Sequence, residues 1–358
     1  MGEDALSVLV SIVVNNYNYG QFLRAAIDSA LCQSYRAIEV LVVDDGSTDH
    51  SRDIMRSYGD RVTPVLKENG GQASALNAGF AQSHGDVIIF LDADDVLLPH
   101  AAQRVVEAFA AQSQVAKIQY RMEIIDQDGQ RTGVIKPPRH IPLPSGDLKQ
   151  QELLFPFDLA WLPTSGNAFA ARALQSIFPI PEQVYGKVGA DWYLVHLTPL
   201  AGLVVSLDEV CAYYRVHTCN HYELSASNLN LTHIRQTIVY ADHTRRYLQK
   251  YAEQLRLPDR PKEILSVSTV ANRITSLKLE PDQHPIADDT IRKLFRSALI
   301  AISRRRDVAW PMKVLFRLWF ALIALAPKSF ARWLAEVFFF PARRTQLNRW
   351  LGAWHESG

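Results

Sequence analysis

The chain has 358 residues, of which 48% are apolar and 21% charged; at roughly 150 residues per domain it can bury about two cores. Its 17 glycines and 18 prolines exclude collagen-like, disordered and low-complexity classes. A balance of 38 basic and 37 acidic residues, net +1, excludes the cationic footprint of a nucleic-acid binder.

That mean hides an asymmetry. Residues 300–350 hold ten basic residues (Arg304, Arg305, Arg306, Lys313, Arg317, Lys328, Arg332, Arg343, Arg344 and Arg349) against Asp307 and Glu336, while everything before them is net acidic. Cys32, Cys211 and Cys219 are too few and too scattered for a disulfide framework, and point to a reducing compartment. The start, MGEDALSVLVSIVV, has no basic segment of a secretory leader, and Leu6 stands where myristoylation needs serine or threonine. A cytoplasmic protein is expected.

In chain order, Val8–Val14 is an unbroken run of strand formers, as in a strand buried on both faces. The polar turn NNYNYGQ follows, then Phe22, Leu23, Ala26, Ile27, Ala30 and Leu31 recur at helical spacing. Ile38–Val43 is a second strand ended by DDGSTD, where Ser47 or Asp49 can cap a helix. Val62–Leu66 is a weaker third strand, Gly70-Gly71 a turn into a helix over Ala73–Gln82, and Val87–Leu91 a fourth strand closed by DADD. Strands alternating with helices predict βαβ units and a mostly parallel, Rossmann-like sheet. Further on, Asp126–Gly129 reads as a hairpin turn and 136–146 as a proline-rich loop. A helix is expected around Asp191–Leu200, a strand around Leu203–Ser206, and helices over 228–255, 262–279 and 288–304. The expected division is 1–225, 226–306 and 307–358.

In an open α/β sheet the ligand crevice lies at the carboxyl ends of the strands. Asp44-Asp45 and Asp92-Ala93-Asp94-Asp95 both fall there. Carboxylates crowded at one edge repel and resist desolvation, which suggests a cation shared with a phosphorylated ligand. Magnesium or manganese bound by one or two carboxylates plus substrate phosphate is the usual solution. The competing reading is that these acids cap helices, most plausibly for Asp49.

The segments SIVVNNYNYGQFLRAAIDSALCQSY, IEVLVVDDGSTD, NGGQASALNAG, HGDVIIFLDADD and GADWYL, in that order over roughly residues 8–220, resemble the family 2 glycosyltransferases. The resemblance implies the GT-A nucleotide-diphospho-sugar transferase fold, here with a C-terminal helical extension. It also implies inverting transfer of one sugar from a nucleotide-diphosphate sugar, a UDP-sugar first, to a hydroxyl on a glycan or lipid-linked acceptor in cell-envelope polysaccharide synthesis. Carried over by motif, Asn15, Tyr17 and Asp45 would bind the base, and Tyr17 has a ring to stack on it. Gly71, with Gln72 and Asn77, would approach the nucleotide-sugar. Asp92 would contact ribose, and Asp94 would bind Mn2+ or Mg2+ together with His217 of Tyr214-Arg-Val-His217. Asp191 would be the base; the Glu that precedes it in the family is Ala190 here. A helix cap before Trp192 is the alternative for Asp191. Trp161, Thr164, Ser165 and Asn167 are acceptor-side candidates without a decisive motif.

A catalytically silent nucleotide-sugar-binding homologue is the alternative that Ala190 leaves open. A phosphatase with a nucleophilic Asp after strand one is disfavoured, because Asn15 and Asn16 stand there. His217, Cys219 and His221 lack a fourth ligand for zinc. Gln346–Trp350 spells the QxxRW of processive synthases, but some 155 residues beyond the base, so a single addition is favoured. Finally, aromatics interleaved with Lys and Arg from Trp310 onward suit helices lying in a membrane interface. Arg317 interrupts the only long apolar stretch, so a peripheral location on the inner face of the cell membrane is expected, not a span. Core-packing or dimer-forming helices are the competing reading.

Overall fold

Runs rich in β-branched residues, broken only by Ser11 in the first strand and Glu39 in the second, form the middle of the sheet, as expected of strands covered on both faces. In the computed structural model, which describes residues 8–186, 189–217, 229–257, 265–305 and 308–340, the elements begin β1 (Val10–Asn16), α1 (Gly20–Leu31), β2 (Ile38–Asp45), α2 (Ser51–Ser57), β3 (Thr63–Lys67), α3 (Gln72–Gln82) and β4 (Val87–Asp92). β1 pairs in parallel with β2 and β4, and β2 with β3, as the alternating pattern predicts. The remaining elements of this half are β5 (Val96–Leu97), α4 (Ala101–Ala111), β6 (Val115–Ile125), β7 (Arg131–Lys136), α5 (Lys149–Leu154), β8 (Asn167–Ala170), α6 (Ala171–Gln175), α7 (Glu182–Tyr185), α8 (Ala190–Ala201) and β9 (Leu203–Arg215). The sheet runs β3-β2-β1-β4-β8-β6-β9-β5, with β7 on β6. Beyond β4 it turns mixed: β8 is antiparallel to β4 and β6, while β9 is parallel to β6 and antiparallel to β5.

The C-terminal part is helical: α9 (Leu231–Gln254), α10 (Val267–Leu279), α11 (Ile291–Arg304), α12 (Trp310–Leu325) and α13 (Lys328–Phe339). The described residues fall into two compact units, one of 8–153, 159–217 and 244–257, the other of 154–158, 229–243, 265–305 and 308–340. This cuts the chain differently from the expected boundaries at 225 and 306. The C-terminal half of α9 belongs to the first unit, and α12 and α13 share one core with α10 and α11 through Trp319, Phe320, Ile323, Ala331 and Leu334.

α3 sits so close to the sheet that its facing residue must be glycine. A methyl on Gly79 would collide with Val13 Cγ1 and lie 3.0 Å from Val43 Cγ2. Gly79→Ala should therefore lower the unfolding free energy by about 1–3 kcal/mol, read by urea denaturation; an unchanged midpoint would mean that α3 lifts from the sheet without cost.

Candidate active site

Strand register brings the acidic ends together. Asn15 lies opposite Asp92 and Asn16 opposite Asp44. Asn15 Nδ2 donates to Asp92 Oδ1 at 2.8 Å, and Asn16 Nδ2 to Asp44 Oδ1 at 3.2 Å. Asp44 also accepts from Arg52 Nε at 2.7 Å and Ser47 N at 3.1 Å, which closes its own turn. Asp45 is spent differently. It accepts from Gly71 N at 2.6 Å, Gly70 N at 3.0 Å, Asn69 Nδ2 at 3.1 Å and Lys67 Nζ at 2.5 Å, and so anchors the Gly70-Gly71 loop. Gly71 has φ +82°, a left-handed conformation that favours glycine. Tyr17 is 48% exposed; its turn is latched by Asn18, whose Oδ1 accepts from Thr48 N at 2.8 Å. Asp49 accepts from Gly20 N and Ser51 N, so it ties the starts of α1 and α2.

The DADD segment makes a tight turn in which Asp95 N donates to Asp92 O at 3.0 Å. The end of β9 closes over it: Arg215 N donates to Asp95 Oδ1 at 2.9 Å and Arg215 Nε to Asp94 O at 2.8 Å. His217 Nε2 lies 3.0 Å from Asp94 Oδ2, with its ring packed between Tyr19 and Phe22. The crowding has an electrostatic signature. Burial first, then the Asp94 charge, pushes Asp92 up to about 7, and burial with both neighbours pushes Asp95 well above the usual carboxylate range. Among the described residues no group of three or more His, Cys, Asp or Glu is arranged to hold a metal by itself. The donor set fits magnesium or manganese nonetheless: Asp94 and His217 touch at an edge where carboxylates need a cation, and such ions take their other ligands from phosphate and water.

Asp191 opens α8, half-buried, with Oδ1 accepting from Trp192 N at 2.8 Å. Burial raises its carboxyl, and its charge reaches Asp92. Gly189, at φ +94°, makes the turn before it. That turn is held by Gln72, whose Oε1 accepts from Gly189 N at 3.0 Å and Ala190 N at 3.1 Å. Asn77, further along α3, donates to Ile180 O at 3.0 Å and accepts from Ile180 N at 2.8 Å. Both are expected as polar contacts to a nucleotide-sugar, and in the structure both side chains hold the segment leading into α8. The acceptor-side candidates also have partners within the protein, Trp161 carrying Lys117 Nζ 3.8 Å from its ring centroid. Ser165 Oγ accepts from Asp92 N at 3.0 Å, Thr164 Oγ1 is 3.4 Å from Gln72 Nε2, and Asn167 Nδ2 donates to Pro163 O at 2.7 Å. Sequence reasoning missed the buried Lys117 of β6, Glu152 of α5 and His196 of α8; polarity inside an apolar segment marked Lys117 and His196, and nothing marked Glu152 in KQQELL. Cys219, His221 and Gln346–Trp350 lie outside the described residues.

A parallel sheet that gathers Asp92, Asp94 and Asp191 at its carboxyl edge, with a mixed second half and C-terminal helices, defines a GT-A type transferase. The family model "Glycosyl transferase family 2" matches residues 11–164. An uncharacterized glycosyltransferase of Nostoc sp. is 38% identical over 224 residues, covering 61% of this chain and 68% of that protein. A second uncharacterized glycosyltransferase, from Rickettsia prowazekii, is 39% identical over 138 residues, or 38% of this chain and 43% of its own. The chain belongs to glycosyl transferase family 2. In fold it is similar to residues 1–349 of S. aureus TarS, solved with UDP-GlcNAc, at a TM-score of 0.55 and 15% identity over 92% of this chain and 91% of that one.

Gln72→Ala should leave two N–H groups at the start of α8 without their acceptor. With Asp191 then loosely placed, turnover should fall about 10–100-fold while nucleotide affinity, measured by calorimetry, stays near the parent value. A large loss of nucleotide affinity would instead make Gln72 a donor contact.

Proposed function

We propose that the protein transfers one sugar from a nucleoside-diphosphate sugar, a UDP-sugar first, to a hydroxyl acceptor with inversion at the anomeric carbon. The observation that carries this is the placement of Asp191: a half-buried carboxylate at a helix start, electrostatically coupled to Asp92 at the strand edge. Membership in the family and the UDP-GlcNAc held by the fold relative TarS support the donor class. Asn15, Tyr17 and the loop anchored by Asp45 would receive the base, the backbone at Gly71 the sugar-diphosphate, and Asp92 the ribose.

Asp191 acts as general base. Its Oδ1 is engaged with Trp192 N, so Oδ2 takes the acceptor proton. The freed oxygen bonds to the anomeric carbon from the face opposite the diphosphate, and the breaking C–O bond leaves its electron pair on the diphosphate. A carboxyl raised by burial is better matched to that proton than an exposed one. Asp94 and His217 would hold Mn2+ or Mg2+, which when bound neutralises charge on the departing diphosphate. Asp191→Asn should keep donor binding and lose about 10²–10⁴-fold in turnover; near-parental turnover would remove Asp191 from the mechanism. Asp94→Ala should abolish the manganese-dependent part of donor binding, seen as loss of metal-dependent thermal stabilisation by UDP-sugars.

The acceptor is proposed to be membrane-borne, approached from the inner face of the cell membrane. No helix among the described residues is long and apolar enough to cross a bilayer. α12 nevertheless exposes Leu315, Leu318, Leu322 and Leu325 along one face, α13 exposes Phe330 and Trp333, and the exposed Lys328 and Arg332 lie beside them. Since the opposite faces belong to a core, deleting the tail would unfold it, and point changes are the cleaner test. Leu318→Glu with Leu322→Glu should abolish binding to anionic vesicles while leaving thermal stability and UDP binding intact; unchanged vesicle binding would exclude this face.

A further inference from the structure

α11 has a face that its own core does not use. Leu294, Ala298, Ala301 and Ile302 are buried with residues of α10, α12 and α13. Every exposed residue of the helix lies on the opposite side: Arg292, Lys293, Arg296, Ile300, Ser303 and Arg304 recur turn by turn along one stripe. Four of these six are cationic, and the helix, IRKLFRSALIAISR, contains no acid. Ile300, within the stripe, is 50% exposed. Exposed arginines elsewhere meet a carboxylate one turn away on their own helix, Arg56 at Asp53 and Arg104 at Glu107; α11 offers its cations none. Of the two acids just ahead of it, Asp289 turns inward onto Arg273 at 2.6 Å and Asp288 stays exposed.

The stripe borders the outer row of α12. Arg317 Nη2 donates to Ser303 Oγ at 3.2 Å, so the end of α11 lies against α12 beside the exposed Leu318. α12 is likewise without acids. Its row of Leu315, Leu318, Leu322 and Leu325 is apolar, and burial of apolar area is indifferent to headgroup charge. Cations alongside change that, since each Lys or Arg near an anionic surface adds an attraction that fades within a Debye length. We propose that the exposed face of α11 is the electrostatic half of a membrane-docking surface: Arg292, Lys293, Arg296 and Arg304 engage the headgroups of an anionic phospholipid bilayer, with Ile300 at the interface. Charge complementarity selects the occupant, because a neutral bilayer gives these four cations no counter-charge. This rests on the reading of the α12 row as membrane-binding and adds that lipid selectivity resides in a different helix.

Arg292→Gln with Arg296→Gln removes two charges from an exposed face while keeping chain length and helix propensity. In the full-length protein, co-sedimentation with phosphatidylcholine vesicles containing phosphatidylglycerol should weaken about 10–30-fold, and the salt dependence of that binding should flatten. Binding to vesicles of phosphatidylcholine alone, UDP binding and thermal stability should stay at the parental values. Lys293→Gln with Arg304→Gln reads the same stripe should the first pair not fold. Parental affinity of the folded variants for the mixed vesicles would overturn the proposal and leave the stripe to a soluble acidic partner. The variant carrying Leu318→Glu and Leu322→Glu separates the two readings. If it loses both vesicle types while the arginine variant binds as the parent does, the leucine row stands and this proposal falls. If it binds as the parent does while the arginine variant loses the mixed vesicles, the leucine row falls and the stripe stands on its own charge. A parent protein that binds neither vesicle type would end both.

Discussion

Repulsion among carboxylates at one sheet edge is the constraint around which the rest of this site is arranged. Asp94 and Asp191 act on Asp92, Asp92 and Asp94 act on Asp95, and burial makes charge on Asp92, Asp95 and Asp191 more costly. The fold answers with donors and not with distance. Asn15 meets Asp92, His217 meets Asp94, and the backbone of Arg215 meets Asp95. On the proposed function, the residual negative charge is what a bound divalent cation would offset.

The second arrangement is a division of labour in which polar residues beside the crevice mostly hold the protein. Asp45 fixes the loop, Gln72 fixes the turn before Asp191, and Asn77 fixes the chain at Ile180. All three act on or through α3 and its leading loop, and α3 itself is set by the Gly79 contact with β1 and β2. The loop expected to face the sugar-diphosphate and the base expected to act on the acceptor are therefore coupled through one short helix. Such coupling would supply the fixed geometry that the proposed in-line displacement requires.

The half of the site on β1, β2 and β4 was legible because apolar runs ended in Asn and Asp. The strands extend further than hydrophobicity suggests, to Asn16, Asp45 and Asp92, because those polar ends bond one another across the sheet edge. β6 was not legible for the opposite reason. Lys117, Gln119, Arg121 and Glu123 alternate as if facing water, yet all four are buried. Gln119 bonds Ser206 and Pro144, Arg121 bonds carbonyls of Pro137 and Ile141, and Glu123 receives Arg131. A period-2 polar pattern implies solvent only when nothing covers it, and here the proline-rich loop at 136–146 does. The protein partners of Gln72 and Asn77 were not legible either, since residue type shows that a hydrogen bond will form but not with which partner.

The C-terminal helices bear out the core-packing reading of the tail and leave a second apolar face to which the proposed membrane reading applies. α12 is apolar on more than one face: Trp319, Phe320 and Ile323 are buried in the helical core, while Leu315, Leu318, Leu322 and Leu325 stay exposed. Core packing accounts for the first set only. A helix with one buried face needs a single apolar stripe, and a second stripe in water is unfavourable by the area it leaves unburied. Packing and interface binding therefore do not compete for the same residues. They would divide the helix, and on the proposed membrane reading the exposed Lys328 and Arg332 would go with the outer stripe, their chain hydrocarbon covering apolar surface and their charge meeting headgroups.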